Sequence, residues 1–431
     1  MATMALATVG CRLNQYETEK IADELMSLGL QRRDFWQTAD LYILNTCTVT
    51  GKADADCRKL INRAYRNNPE AILVVTGCYV AAEKELIAEM KGVDLVVSND
   101  RKMDLARIIQ DAYPQLFLTA DDTDYHSTEA LADDTIAEAH PPHRPMVQIG
   151  TGCNQNCSYC IVPKVRGGLV SFESSSIIEE ISALAADGYS EVVLTAVHIG
   201  KYRKDGLTLG GLVREILKQT KIGRVRLSSL EPNELDDELL EFVAAHDRVC
   251  RHLHLPLQSG SDVILRAMRR PYGREAYLKT IQRVKEANPD ITVGCDLIVG
   301  FPGESEDDFA DSLEILKSGY IDYGHVFSYS DRPGTRASEI IEKVPVADIK
   351  SRNRRARTVC DKNRRRKLQQ QIGKEFGVIS ERTPGRDGLY RGVSDNYIKV
   401  KLPQFTGGGR EIIRFLPEAV DGECLTGHFL S

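Results

Sequence analysis

Short apolar runs alternate with amphipathic stretches at the start of the chain. Ala5–Val9, Leu41–Leu44, Ala71–Val75 and Val93–Val97 have strand length, and in Tyr16–Leu28, Ala53–Arg66 and Ala81–Met90 apolar residues recur every three or four positions. Strands that alternate with helices predict a parallel sheet covered on both faces. Residues 1–112 are therefore expected to form an open parallel α/β domain. The pattern stops over 113–144, which holds seven acidic residues and one basic residue and ends in a proline-rich stretch, as an exposed linker would.

A second series begins at Pro145. Its expected strands are Met146–Gly150, Glu191–Val197, Val225–Leu230, His252–Leu257, Thr292–Val299 and Tyr323–Tyr329. Between them lie the amphipathic segments Ile177–Ala186, Leu209–Lys218, Ala276–Ala287 and Asp307–Lys317. Six such units over 145–370 fit a partial TIM-like (βα)6 barrel, and the periodicity fits an open doubly wound sheet equally well. From 371 to 431 the texture becomes short alternating stretches (Val378–Glu381, Tyr397–Leu402, Glu411–Leu416, Cys424–Leu430) separated by glycine and proline. That texture predicts a small antiparallel β-barrel, and the overall class is α/β.

At 431 residues the chain is long enough for several domains. A net charge of −6 gives no global mark of nucleic-acid binding, but residues 350–367 concentrate ten Lys/Arg against one Asp. Such a run is either a solvated helix face or a grip on RNA phosphates, and its place before a small barrel favours RNA. Lys399 and Arg414 are further candidate contacts. No apolar run approaches the ~18 residues of a membrane span. The opening run is short and lacks a basic leader, so a cytoplasmic location is expected. In a reducing compartment the eleven cysteines read as ligands rather than disulfides.

Cys153, Cys157 and Cys160 form a CxxxCxxC loop just beyond the first strand of the second series. Three thiolates so close can hold three irons of a [4Fe–4S] cluster and leave the fourth open. Zinc would want a fourth Cys or His, and the next histidine is His198. Cys11, Cys47 and Cys78 each follow an expected parallel strand, where open α/β sheets gather ligands. Spacing alone leaves a second three-cysteine site and three buried small residues equally open. Cys57, Cys250, Cys295, Cys360 and Cys424 read as structural.

Several segments together resemble the methylthiotransferase family of radical S-adenosylmethionine (SAM) enzymes. They are Gly10–Glu19, Asn45–Thr50, Thr76–Cys78, Gly152–Pro163 with Arg166-Gly167, His254–Ser261 and Asp296–Glu304. The opening Cys-Arg-Leu-Asn-Gln-Tyr-Glu-Thr-Glu and the late Asp395–Val400 are most similar to the MtaB-type branch, whose substrate is N6-threonylcarbamoyladenosine beside the tRNA anticodon. Sister branches act on isopentenyl-adenosine in tRNA or on an aspartate of a ribosomal protein. The resemblance implies an N-terminal methylthiotransferase domain, a radical SAM barrel and a C-terminal TRAM domain. It also implies two [4Fe–4S] clusters, an auxiliary one on Cys11, Cys47 and Cys78 and a radical-generating one on Cys153, Cys157 and Cys160.

SAM would serve as radical source and methyl donor, with contacts expected from Tyr159, Ser229, Glu231, Gln258, Ile298 and Gly300. A tRNA substrate, a reducing protein such as a flavodoxin-like electron donor and a sulfur donor complete the implied partners. One departure stands out: after Arg166-Gly167 the family often continues with arginines, whereas here Gly168-Leu-Val-Ser171-Phe172 has none.

Overall fold

The computed structural model describes residues 1–117, 144–381, 384–385, 387–402, 404 and 409–430. Most of the acidic linker expected over 113–144 lies outside the described residues. The chain divides into two compact units, one of Met1–Pro141 with Ile161–Gly167, the other of Pro142–Cys160 with Gly168–Ser431.

The first unit is a five-stranded sheet in the order β2-β1-β3-β4-β5, its strands being β1 (Thr3–Thr8), β2 (Gln31–Arg33), β3 (Leu41–Thr46), β4 (Ile72–Gly77) and β5 (Leu95–Val97). All its pairings are parallel. Successive residues of each strand serve opposite faces. Met4, Leu6, Leu41, Ile43 and Val74 pack with Ile21, Leu25 and Ile109 on one side. Ala5, Tyr42, Leu44, Leu73 and Val75 pack with Cys57 and Ile61 on the other. This two-sided burial explains why the strands read as continuous apolar runs. The short edge strand β2, Gln-Arg-Arg, carries no apolar residue and had no such signal.

In the second unit six parallel strands form the main arc: β6 (Met146–Gln148), β9 (Glu191–Thr195), β10 (Arg224–Leu227), β11 (His252–His254), β12 (Thr292–Val299) and β13 (Tyr323–Ser328). The pair β7 (Gly150–Thr151) and β8 (Val170–Ser171) forms a small antiparallel ribbon beside them. The six fall into two three-stranded sheets, β10-β9-β6 and β11-β12-β13. An isolated parallel bridge between Ser229 and His254 joins the two, so the arc is a partial barrel. Its interior is one apolar core, with Val147, Leu194, Leu227, Leu253, Val293 and Leu297 among its members.

The helix Val346–Gln371 leads into a closed antiparallel-rich barrel of β14 (Phe376–Ser380), β15 (Tyr390–Ser394), β16 (Lys399–Leu402), β17 (Ile413–Asp421) and β18 (Cys424–Phe429). This agrees with the expected TRAM-like barrel; β15 is the strand the sequence reading lacked. The barrel belongs to the same compact unit as the six-stranded arc because buried charges clamp it there. Arg226 donates to the carbonyls of Ser394 (2.8 Å) and Asp395 (3.0 Å), and Arg224 to that of Gly377 (3.0 Å). Both guanidiniums bind the fully buried Glu191 at 2.7 and 2.5 Å. Flanked by these cations, the Glu191 carboxyl is held far below the usual carboxylate range despite its burial.

Much of the basic run has structural employment. Arg352 is buried against Glu304 (2.8 Å), Arg355 pairs with Glu306 (2.5 Å) and Arg364 with Glu423 (2.9 Å). Lys367 is buried, its ammonium on the Asp290 carbonyl at 3.0 Å. Lys350, Arg354, Arg357, Lys362 and Arg365 face outward.

Candidate functional site

In the first unit β1, β3 and β4 are neighbours, and a cysteine follows the carboxyl end of each. Cys11 caps the helix Arg12–Ser27, Cys47 follows β3 directly, and Cys78 opens the short helix Cys78–Ala82. Cys11 is exposed, whereas Cys47 and Cys78 are buried. Two glycines let the loops close on one another. Gly10 has φ +112°, and a Cβ there would stand 2.6 Å from the Cys47 Cβ and 2.7 Å from its Sγ. Gly77, at φ +104°, lies against the Thr46 backbone. Only glycine tolerates both the conformation and the approach.

Asn14 knits the same loops, donating to the carbonyls of Val9 (2.9 Å) and Thr46 (3.0 Å). The three thiols are near enough to oppose one another's ionisation: burial first, then Cys78 and Cys11, push the Cys47 thiol up to about 11. Cys57, as expected, is structural, its buried thiol donating to the Cys47 carbonyl at 3.5 Å.

Beneath this cluster of thiols lies a buried charge group. Glu17 accepts both arms of Arg166, at 2.8 and 2.9 Å, and the Lys102 ammonium at 2.5 Å. Arg166 also donates to the Asn14 side chain and stands beside the Cys78 thiol.

In the second unit Cys153, Cys157 and Cys160 occupy the loop after β7, at the C-terminal end of the barrel strands, where such barrels place their chemistry. Gly152 turns the chain at φ +68°. Ser158 pins the loop: its amide donates to the Met268 carbonyl (3.0 Å), its hydroxyl to that of Ala267 (2.7 Å), and its carbonyl accepts from Ala337 N–H (2.8 Å). Cations attend this loop as well. Arg270 donates to the Cys157 sulfur at 3.2 Å and is ion-paired with Glu231. The Tyr272 hydroxyl holds Arg270 at 3.0 Å and donates to the Pro256 carbonyl at 2.7 Å. His198 lies 3.7 Å from the Cys153 sulfur through Nδ1 and 2.8 Å from Glu234 through Nε2. Burial disfavours its charge, but the bonds to Cys153 and Glu234 outweigh that and raise His198 to about 9.

Among the described residues no three His, Cys, Asp or Glu side chains are set to chelate a single metal ion, which is a different demand from one thiolate on each of three cluster irons. The donor chemistry fits such clusters. Each site supplies three soft thiols, and each sets buried cations beside them, matching the net negative charge of a thiolate-ligated cluster.

Comparison with known proteins identifies the family. Residues 147–316 match the Radical SAM superfamily. Residues 3–98 match the uncharacterized protein family UPF0004. The chain is 36% identical over 417 residues to the threonylcarbamoyladenosine tRNA methylthiotransferase MtaB of Aquifex aeolicus, covering 96% of this chain and 99% of that protein. It is 35% identical to the protein of the same name from Bacillus subtilis, over 93% of this chain and 90% of that one. A tRNA-2-methylthio-N(6)-dimethylallyladenosine synthase of Cereibacter sphaeroides is 31% identical over 99% of this chain and 98% of its own length. The chain belongs to the radical SAM methylthiotransferase family.

Among solved structures, the radical SAM methyltransferase TsrM of Kitasatospora setae superposes with a TM-score of 0.57 at 15% identity, over 90% of this chain and 80% of that one, a likeness of fold.

With the methylthiotransferase family established, the expected SAM contacts can be placed. Tyr159 and Ile298 share one apolar cluster with Ile264, Met268 and Phe301, and Arg270 reaches the Tyr159 hydroxyl at 3.5 Å. Glu231 meets the same Arg270. Gln258, at φ +62°, pairs through its backbone with Asp296 and Ile298, which sets it beside Ile298. Ser229 is exposed beyond β10, next to Ser228, whose buried hydroxyl has no protein partner. The Gly300 amide is committed to Glu304 at 2.7 Å.

Arg270, His198, Glu234 and Lys102 were not singled out as site residues from the sequence. Arg270 lies 113 positions from Cys157, and no spacing rule connects them.

Proposed function

We propose that this chain installs a methylthio group at C2 of N6-threonylcarbamoyladenosine beside the tRNA anticodon. The observation that carries the reading is full-length similarity to proteins of that name, on a chain that gathers two separate groups of three cysteines at strand ends. When bound, two [4Fe–4S] clusters and SAM supply the radical that opens an unreactive aromatic C–H bond, and the sulfur and methyl that replace the hydrogen.

The protein's part is holding and orienting. Cys153, Cys157 and Cys160 hold the radical-generating cluster, and Cys11, Cys47 and Cys78 the auxiliary one. Tyr159 and Ile298 form an apolar floor that keeps water from the adenine of SAM. Glu231, fixed by Arg270, would offer its carboxylate to ribose hydroxyls, and Ser229, Gln258 and Gly300 would supply further polar contacts. Arg270 and His198 set positive charge beside Cys157 and Cys153 and so favour their thiolates over thiols.

The outward residues of the basic helix, with Lys399, meet RNA phosphates. The Arg414 guanidinium, by contrast, is ion-paired with Glu375. An external reducing protein and a sulfur donor serve the reaction, and a tRNA substrate places the enzyme in the cytoplasm.

The test is anaerobic. Reconstituted enzyme is given SAM, reductant, sulfide and tRNA bearing threonylcarbamoyladenosine, and the digested nucleosides are weighed. The expected product gains one methylthio group, and the gain disappears when Cys11, Cys47 and Cys78 become alanine. SAM cleavage with no change in nucleoside mass refutes the substrate, and tRNA bearing dimethylallyladenosine is then the next substrate, given the relatives named for it.

A further inference from the structure

The charge group under Cys11, Cys47 and Cys78 has an unusual balance. Glu17, Lys102 and Arg166 are each nearly inaccessible, with side-chain exposures of 6%, 2% and 4%. One carboxylate therefore faces two cations, a surplus of one positive charge in a site closed to water. Burial ordinarily makes an unbalanced charge costly. The cost is visible in Lys102, where burial lowers the pKa although Glu17 works to raise it.

The surplus sits beside the sulfurs: the Asn14 side-chain oxygen that accepts from Arg166 lies 3.8 Å from the Cys11 Sγ, and Lys102 reaches the Asn45 side-chain oxygen at 3.4 Å, against Gly77 and so next to Cys78. Arg166 is held there firmly, by two bonds to Glu17 and one to Asn14, the residue that also ties the loops of Cys11 and Cys47. A rigid cation beside a thiolate-held cluster stabilises its more negative state, and the effect is large where water cannot screen it.

We propose that the Glu17–Arg166–Lys102 group is the electrostatic seat of the auxiliary cluster, its surplus positive charge setting that cluster's reduction potential upward. This rests on the reading of Cys11, Cys47 and Cys78 as cluster ligands. The three are positioning residues, acting through the cluster and not on the substrate.

The charge arithmetic makes signed predictions. Arg166→Gln leaves Glu17 neutralised by Lys102, and Lys102→Met leaves it neutralised by Arg166. In both variants one buried ion pair survives and the surplus is gone. Glu17→Gln enlarges the surplus, and Arg166→Lys preserves it.

The experiment uses the full chain with Cys153, Cys157 and Cys160 changed to alanine, so that the auxiliary cluster alone gives a signal. It is reconstituted anaerobically and titrated electrochemically while its electron paramagnetic resonance signal is followed. The midpoint is expected to move negative in Arg166→Gln and in Lys102→Met, to move positive in Glu17→Gln, and to stay near the parent in Arg166→Lys. A purely architectural role would lower cluster occupancy in these variants without ordering the midpoints by charge. Midpoints that do not follow charge, with the cluster present, overturn the proposal alone. A parent that binds no cluster overturns the ligand assignment and the proposal with it.

Discussion

Gly10→Ala tests whether the N-terminal cysteines act together. At φ +112° an alanine carries a backbone strain of about 1–3 kcal/mol. Its methyl would also stand 2.6 Å from the Cys47 Cβ and 2.7 Å from the Sγ. Neither Cys47 nor its loop can yield freely, since Asn14 ties the loop at Thr46 and Cys57 bonds to the Cys47 carbonyl. Overpacking of this kind costs about 1–3 kcal/mol more.

Gly29 supplies the control. Its φ is +95°, with nothing within 4 Å of the added carbon, so Gly29→Ala carries the strain without the clash. The difference, about 1–3 kcal/mol, falls on the Cys47 sulfur and amounts to roughly a 5- to 150-fold weaker hold on a cluster. The assay is iron and labile sulfide per chain after anaerobic reconstitution with limiting iron, alongside SAM cleavage under a chemical reductant. Gly10→Ala is expected to retain about half the iron of the parent while still cleaving SAM, and Gly29→Ala to match the parent in both. Full iron in Gly10→Ala, or equal loss in the two variants, would refute the account of a shared site closed by Gly10.

Two further outcomes follow from buried charges in the second unit. Arg226→Met leaves the carbonyls of Ser394 and Asp395 without their donor, while Arg224 still neutralises Glu191. A loss of about 2–4 kcal/mol is expected from two carbonyls left unpaired, read as amide exchange in β15 and β16 at least about tenfold faster; unchanged exchange there would remove the clamp from the explanation. Burial lowers the Lys367 pKa from 10.5 to about 8. Between those values the unfolded chain binds more protons than the folded one, so stability rises with pH across that window. A urea midpoint that climbs from about pH 7.5 to about pH 10 in the parent, and not in Lys367→Met, is the expected result.

The architecture was legible wherever burial leaves a period in the sequence. β12, buried along most of its length, was read at its observed bounds, and the cysteines stood out because each sits at a fixed place relative to an apolar run. Glu191, Arg224 and Arg226 left no usable trace. They are charged residues inside buried strands, compensated by one another and by backbone carbonyls of a distant barrel, which a one-dimensional pattern cannot display.

The basic run misled in part for a related reason. Arg352 and Lys367 look like their neighbours in sequence, yet the helix turns them inward to serve Glu304 and the Asp290 carbonyl. The local surroundings of the clusters were the least visible feature. Lys102 and Arg270 come from a short 3-10 helix and a loop that carry no periodicity, and only folding brings them to the sulfurs.

The chain crosses between its two compact units three times, after Pro141, after Cys160 and after Gly167. The heptapeptide lent back by the second crossing carries Arg166, so an isolated N-terminal fragment would keep all three of its cysteines and Lys102 but lack the second buried cation. Such a fragment, studied alone, would report on a different chemical object. The interleaving also constrains how such a protein can arise or be rebuilt. End-to-end joining of two genes cannot produce it, and swapping one unit between homologues requires exchanging the seven-residue graft with it.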